Sequence, residues 1–137
     1  MAMTNYLRKK LGDHAIGKAS FSMPAAVYLG LFTASPGVSG SLAAEAGGGS
    51  YARVSITSLL GAFDLTTGIA VSVSDINFAA PTGNWGTVTY VGVLDQATGT
   101  SPDVTNMLFF DPLPTPRIVV SGGRRVQFLA GSFSISL

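Results

Sequence analysis

The chain has 137 residues, of which 47% are hydrophobic and only 11% charged, against about 25% charged in typical soluble domains; this length suits one hydrophobic core. A net charge of +1 gives no ground for a nucleic-acid or anionic-membrane partner, and the lack of cysteine excludes disulfides, thiolate zinc sites and cysteine nucleophiles. So few charges leave much of a small domain's surface to Ser, Thr and Gly or to neighbouring subunits, which points to a component of an assembly.

The charge is unevenly placed. Arg8, Lys9, Lys10 and Lys18 against Asp13 give residues 1–18 a charge of +3, and the rest of the chain carries −2. From Thr4 to about Ala19 the apolar residues Tyr6, Leu7, Leu11, Ala15 and Ile16 recur at helical spacing, with Thr4 or Asn5 placed to cap, and one short helix is predicted. Leu11-Gly-Asp-His14 interrupts the apolar run that a secretory signal needs, and no stretch approaches a membrane span, so a soluble, unexported chain is expected. Residues 1–23 are therefore read as a helical arm, with Tyr6, Leu7 and Leu11 docking it on the domain or on a neighbour, and residues 24–137 as a β-sandwich domain. Deleting residues 1–20 is expected to leave that domain folded but unable to assemble.

Pro24 ends the helical pattern, and Ala26–Thr33 is predicted as a first strand buried on both faces. Residues 34–50, rich in Gly, Ser and Ala and ending in Gly47-Gly-Gly-Ser50, are expected to form a flexible surface loop whose single charge is Glu45; a loop of this length is also a candidate contact for a neighbouring subunit. Further strands are predicted over Tyr51–Thr57, Ala70–Phe78, Thr87–Leu94, Thr105–Phe110, Arg117–Val120, Arg125–Leu129 and Ser132–Leu137. Turn residues separate them at Pro81-Thr-Gly83, Asp95–Gly99, Pro112–Pro116 and Ser121-Gly-Gly123. The expected fold is thus all-β, a β-sandwich of jelly-roll or Ig-like type with about seven or eight strands. In the last strand, Phe133, Ile135 and Leu137 alternate with serines as a half-buried strand would.

The residues offer no catalytic constellation, so no enzyme, cofactor or metal site is expected. Gly12–Lys18 has the spacing of a phosphate loop, but Ala19 stands where a magnesium-binding Ser or Thr is required, and a helix rather than a strand precedes it. His14 is the only histidine and reads as a solvent-facing helix residue. No Gly-x-Ser-x-Gly elbow occurs, and Asp64, Asp75, Asp95, Asp103 and Asp111 sit at turns rather than at calcium-loop spacing. Arg8, Lys9 and Lys10 would hold nucleic acid only weakly. Trp85 and Tyr90, with Tyr28 and Tyr51, are candidates for a sugar platform, but residues five apart face opposite sides of a strand, so packing is the stronger reading for Trp85 and Tyr90. Arg124 and Arg125, after Gly122-Gly123, are placed at a hairpin tip, solvated or in an interface. Tyr51, Arg53 and Trp85 are expected to organise the sandwich.

The order of the segments Tyr28–Gly37, Gly48-Gly-Ser-Tyr-Ala-Arg53, Phe78–Gly92, Asp95–Gly99 and Val120–Gly123, with Phe128–Gly131 and Ile135–Leu137, resembles a family of small tailed-bacteriophage virion proteins, of tail-fibre-like or minor tail type. The Gly-x-Tyr-Ala-Arg and Asn84-Trp-Gly-Thr-Val-Thr89 pieces are its most specific parts. The resemblance implies a non-enzymatic subunit of a virion assembled in the host cytoplasm, partnered by other virion proteins and copies of itself. A capsid decoration or head-fibre protein is the neighbouring expectation, and a receptor- or carbohydrate-binding module, with an exposed aromatic platform around Trp85, the expectation from a different class.

Overall fold

The computed structural model describes residues 1–99 and 106–137. Among these, the elements are β1 (Ala2–Met3), α1 (Asn5–Ala15), β2 (Tyr28–Phe32), β3 (Val54–Ser55), a 3-10 turn at Thr57–Leu59, β4 (Ile69–Val71), β5 (Ile76–Asn77), β6 (Gly86–Leu94), β7 (Met107–Val119), β8 (Gln127–Phe128) and β9 (Ser134–Ser136). The main sheet has the order β1-β7-β6-β2-β3, and β4 with β9 and β5 with β8 form two further ribbons, every pairing antiparallel. The fold is all-β with one short helix, as the sequence predicts. The second layer consists of ribbons.

β2 is apolar throughout because both of its faces are covered. Leu29 and Leu31 point into the main core with Val91 and Val93 of β6 and with Ile76, Phe78, Phe133 and Ile135 from the ribbons and their flanks. Phe32 points the other way, into a smaller cluster with Leu42, Leu94 and Met107. Full burial of each such side chain contributes about 1.5–3 kcal/mol. Gly30 and Gly92 are cross-strand partners, each two residues from a side chain of that smaller cluster, Phe32 and Leu94. A Cβ at Gly92 would lie 2.7 Å from Met107 Cε and 2.9 Å from Phe32 Cε2, and one at Gly30 would lie 2.9 Å from Leu94 Cδ1. The paired glycines make the floor on which Phe32 and its neighbours lie.

Several expected boundaries move, each for a visible reason. The strands expected at Thr105–Phe110 and Arg117–Val120 join in one strand, β7; Thr105, like Asp103, lies outside the described residues. Pro112 keeps its place in the ladder opposite Tyr90, and Pro114 and Pro116 do not break the strand because the ladder slips there. Thr89 alone separates Val88 from Tyr90 on β6, whereas Leu113, Pro114, Thr115 and Pro116 separate their partners Arg117 and Pro112 on β7. Within such a bulge a missing N–H costs no ladder bond. The strand expected over Ala70–Phe78 divides at a bend into β4 and β5, which pair with different partners. Side chains at the division hold the opposite turn: Ser72 Oγ accepts from Gly131 N at 3.1 Å, and Asp75 Oδ1 accepts from Ala130 N at 2.8 Å. Only Val54–Ser55 of the expected strand Tyr51–Thr57 joins the sheet, only Gln127–Phe128 of Arg125–Leu129 pairs, and Leu137 extends beyond β9 with its side chain exposed.

The arm is joined to the sheet. β1 pairs with β7 at Phe109 and Phe110. Thr4, fully buried, caps α1 by accepting from Leu7 N at 3.4 Å and donates to Met107 O at 2.6 Å. Leu7 belongs to the main core, while Arg8, Lys9, Lys10 and Leu11 face outward.

The glycine floor makes a sharp contrast testable by urea denaturation. Gly92→Ala should cost about 1–3 kcal/mol through overpacking. Gly12→Ala, in α1 with open space around it, should instead stabilise by about 0.5–1 kcal/mol through helix propensity.

Candidate functional site

Residues 33–53 are where the chain spends its buried charge. The segment expected as a flexible loop is instead laid along β2. Thr33 N donates to Ala44 O at 2.9 Å, Ala46 N to Leu31 O at 2.8 Å, and Leu42 and Ala46 are buried. The apolar Leu42 and the short residues around it let the segment close over Phe32.

Glu45 locks it in place. Arg53 grips the carboxylate with both sides of its fork, Nε to Oε1 at 2.7 Å and Nη2 to Oε2 at 2.6 Å, with the two side chains only 4% and 13% exposed. Tyr51 donates its hydroxyl proton to Glu45 Oε1 at 2.9 Å and accepts from Leu31 N at 3.0 Å, so the phenol bridges the loop to β2. Arg53 also donates to Gln96 O at 3.1 Å and Gly99 O at 2.7 Å, tying in the segment after β6. The hydrogen bonds to Glu45 hold the guanidinium even more firmly charged than usual. Burial, and then the Glu45 carboxylate, push the Tyr51 hydroxyl far above the ordinary phenol range. It remains a proton donor at every pH at which the fold is expected to work.

Trp85 completes the cluster. Its ring meets Tyr51 edge-on at 5.3 Å, Tyr51 stacks on Phe78 at 6.5 Å, and Trp85 Nε1 donates to Gly49 O at 2.8 Å. Gly47-Gly-Gly-Ser50, expected to be flexible, is a tight crossing of two chain segments. A Cβ on Gly49 would lie 2.5 Å from Thr82 Oγ1, and one on Gly83 would lie 2.6 Å from Gly49 N.

Of the residues singled out in the sequence, Tyr51, Arg53 and Trp85 come together; Tyr90 lies apart, packed against the smaller cluster on the other face of the sheet. Trp85 is 3% exposed, which corrects the expectation of an exposed aromatic platform around it: its ring is spent on Tyr51 and Gly49. Tyr6 is half-buried beneath Lys10, whose Nζ stands 5.6 Å from the ring centre. Arg124 and Arg125 are exposed beside the Ser121–Gly123 turn, where Arg125 O accepts from Arg117 Nη2 at 2.8 Å. Glu45 is the residue sequence reasoning missed, and its signal was present: it is the only charge in residues 34–50. The phosphate-loop-like segment is the end of α1 and the turn after it, where His14 Nδ1 accepts from Phe21 N at 3.1 Å. Among the described residues no group of three or more His, Asp or Glu side chains is placed to hold a metal ion, and no helix is long and apolar enough to cross a membrane.

Two measurements check this arrangement. In chemical denaturation Arg53→Ala should cost about 3–5 kcal/mol, because it strands a buried carboxylate, while Arg124→Ala should change stability by no more than about 0.5 kcal/mol. Tyr51 is raised in the folded state, so its contribution is fully present below the ordinary phenol value of about 10 and is lost as pH rises above it. Denaturation midpoints from pH 8 to 11 should therefore fall, and fall less in Tyr51→Phe; Tyr6, raised by its own burial and by Asp95, contributes to the remainder.

A protein-family model described as Podophage GP4 fiber I protein gp80 matches residues 2–136 of the chain. A search of curated proteins found no match. The family match supports a phage fibre protein, and it does not carry the finer resemblance to minor tail proteins. Because the match spans the sheet, both ribbons and the Glu45–Arg53 cluster alike, the chain belongs to the podophage GP4 fiber I protein gp80 family.

Proposed function

We propose that the protein is a non-enzymatic structural subunit of a podophage fibre, held in the virion by packing against other virion proteins and copies of itself. The family match over residues 2–136 carries this reading. The physical features agree with it. Glu45 and Arg53 satisfy each other inside the fold, which leaves an already sparse surface with fewer charges still. Large apolar side chains such as Met23, Leu65, Ile118 and Leu137 stand exposed, and exposed apolar surface on a small domain commonly marks contact with another protein. The segment after β2 is hydrogen-bonded back to the sheet through Thr33 N to Ala44 O and Ala46 N to Leu31 O, as suits a subunit that presents a fixed shape.

Labelling purified virions with a gold-conjugated antibody against the protein tests the proposal. Label along fibres is expected. Label spread evenly over the capsid would replace the fibre reading with capsid decoration, and absence of the protein from purified virions would overturn the structural reading altogether.

A further inference from the structure

Most of the exposed large apolar side chains of the described residues gather in two places of opposite charge. One is the outer layer made by residues 59–73 and β9. Gly61 N donates to Val71 O at 2.9 Å, Asp64 N to Ile69 O at 3.0 Å, and β4 pairs with β9, so three extended segments lie side by side. Their inward residues Ala70, Ser72, Phe133 and Ile135 are buried, and the outward Val71 and Val73 are exposed, Val73 at 63%. Phe63, Leu65, Leu129 and Leu137 are exposed in the same segments or at the turns that join them, Leu65 completely. The only charged side chains in residues 59–75 and 129–137 are Asp64 and Asp75; the Met1 ammonium donates to Ser136 Oγ at 3.2 Å at the β9 margin. Asp64 stays ionised, because the N–H groups of Thr67 and Thr66 hold its carboxyl below the usual carboxylate range.

The other place is the arm. Leu11, Ile16 and Met23 are exposed there, Met23 at 89%, among Arg8, Lys9, Lys10 and Lys18, and the net charge of residues 1–18 is +3. Lys9 is engaged by Asp13 at 2.6 Å. Both surfaces thus combine apolar side chains with charge of one sign, and the signs are opposite.

We infer that the Asp64/Asp75 face receives the α1 arm of a second copy of this chain, so that copies join head to tail. The inference rests on the fibre reading and names the partner and the surfaces. Pairing either surface with its own counterpart would set like charges together, whereas the arm-to-face contact matches acid with base and apolar with apolar. Each copy carries both surfaces, so the contact repeats from one subunit to the next. A second cationic surface, Arg124 and Arg125 with Arg117 beside them, matches the arm in net charge but exposes only Ile118 and Val120, against Leu11, Ile16 and Met23 on the arm, which favours the arm as the occupant.

The test is sedimentation of the full chain at about 50 mM salt, where exposed charges are weakly screened, with circular dichroism as the check of folding. Arg8→Glu with Lys18→Glu makes the arm −1. Thr66→Lys, Ser74→Lys and Ser134→Lys turn the face from −2 to +1 without touching Asp64 or Asp75. Each set alone should weaken self-association by about tenfold or more, because it sets like charges together, and the two sets combined, −1 against +1, should associate more tightly than either set alone. A chain that stays monomeric at every concentration, association indifferent to both sets, or association that responds to Arg124→Glu with Arg125→Glu in place of the arm would each overturn the inference. None of these outcomes bears on whether the protein labels fibres in the virion, so the two readings fail separately.

Discussion

The ion pair between Glu45 and Arg53 is the constraint around which the rest of this structure is arranged. Removing a carboxylate and a guanidinium from water costs several kcal/mol per ion, and their attraction offsets that cost only when the geometry is close and the remaining polar atoms are satisfied. Both conditions hold: the grip is two-pronged, Tyr51 donates to the same carboxylate, and Arg53 has further carbonyl acceptors in the segment after β6. A buried pair of this kind adds little net stability, yet losing either partner costs about 3–5 kcal/mol because the other charge is stranded. Here it favours the observed path of residues 33–50, because a path that took Glu45 elsewhere would leave the Arg53 guanidinium, 4% exposed, without its carboxylate.

That path decides the architecture. Leu42 packs with Phe32, Leu94 and Met107 in one buried cluster, and the chain that carries it is held there by Glu45 meeting Arg53 and by the backbone bonds of Ala44 and Ala46 to Thr33 and Leu31. The glycines follow the same logic from the opposite direction. Gly30 and Gly92 leave space for the Phe32 ring, and Gly49 and Gly83 let two backbone segments touch where Trp85 anchors the crossing. These close approaches tolerate no Cβ.

A chain that packs against copies of itself, as proposed above, must offer chosen surfaces and withhold others. Open sheet edges are the main hazard, and this chain limits them. β1 covers the edge of β7 at Phe109 and Phe110, Pro112, Pro114 and Pro116 lack the N–H that strand addition requires, and β3 is only two residues long. What remains available is side-chain surface, apolar and lightly charged, on the arm and on the outer layer. The burial of Thr4 and Leu7 holds the arm at a defined place while its cationic side faces outward.

The amino-acid sequence by itself determined the elements whose causes are local. The helix is legible from Thr4 and the spacing of Tyr6, Leu7 and Leu11; β2 from its unbroken apolar run; β6 and β9 from β-prone or alternating residues bounded by turns. The all-β class and the phage virion resemblance follow from their order. The tertiary structure alone decided whatever depends on residues distant in the chain. Pro112, Pro114 and Pro116 read as a turn because a proline's missing N–H is visible in sequence, whereas the slipped ladder that makes it harmless at Pro114 and Pro116 exists only in the pairing of β7 with β6. Residues 34–50 read as a flexible loop because small residues carry little local information. Their partner, Arg53, and their floor, Gly30 opposite Gly92, are pairings that form only when the sheet does. A lone Glu in a glycine-rich stretch looks solvated in sequence, and only the fold can bury it, because only the fold can bring a guanidinium to meet it.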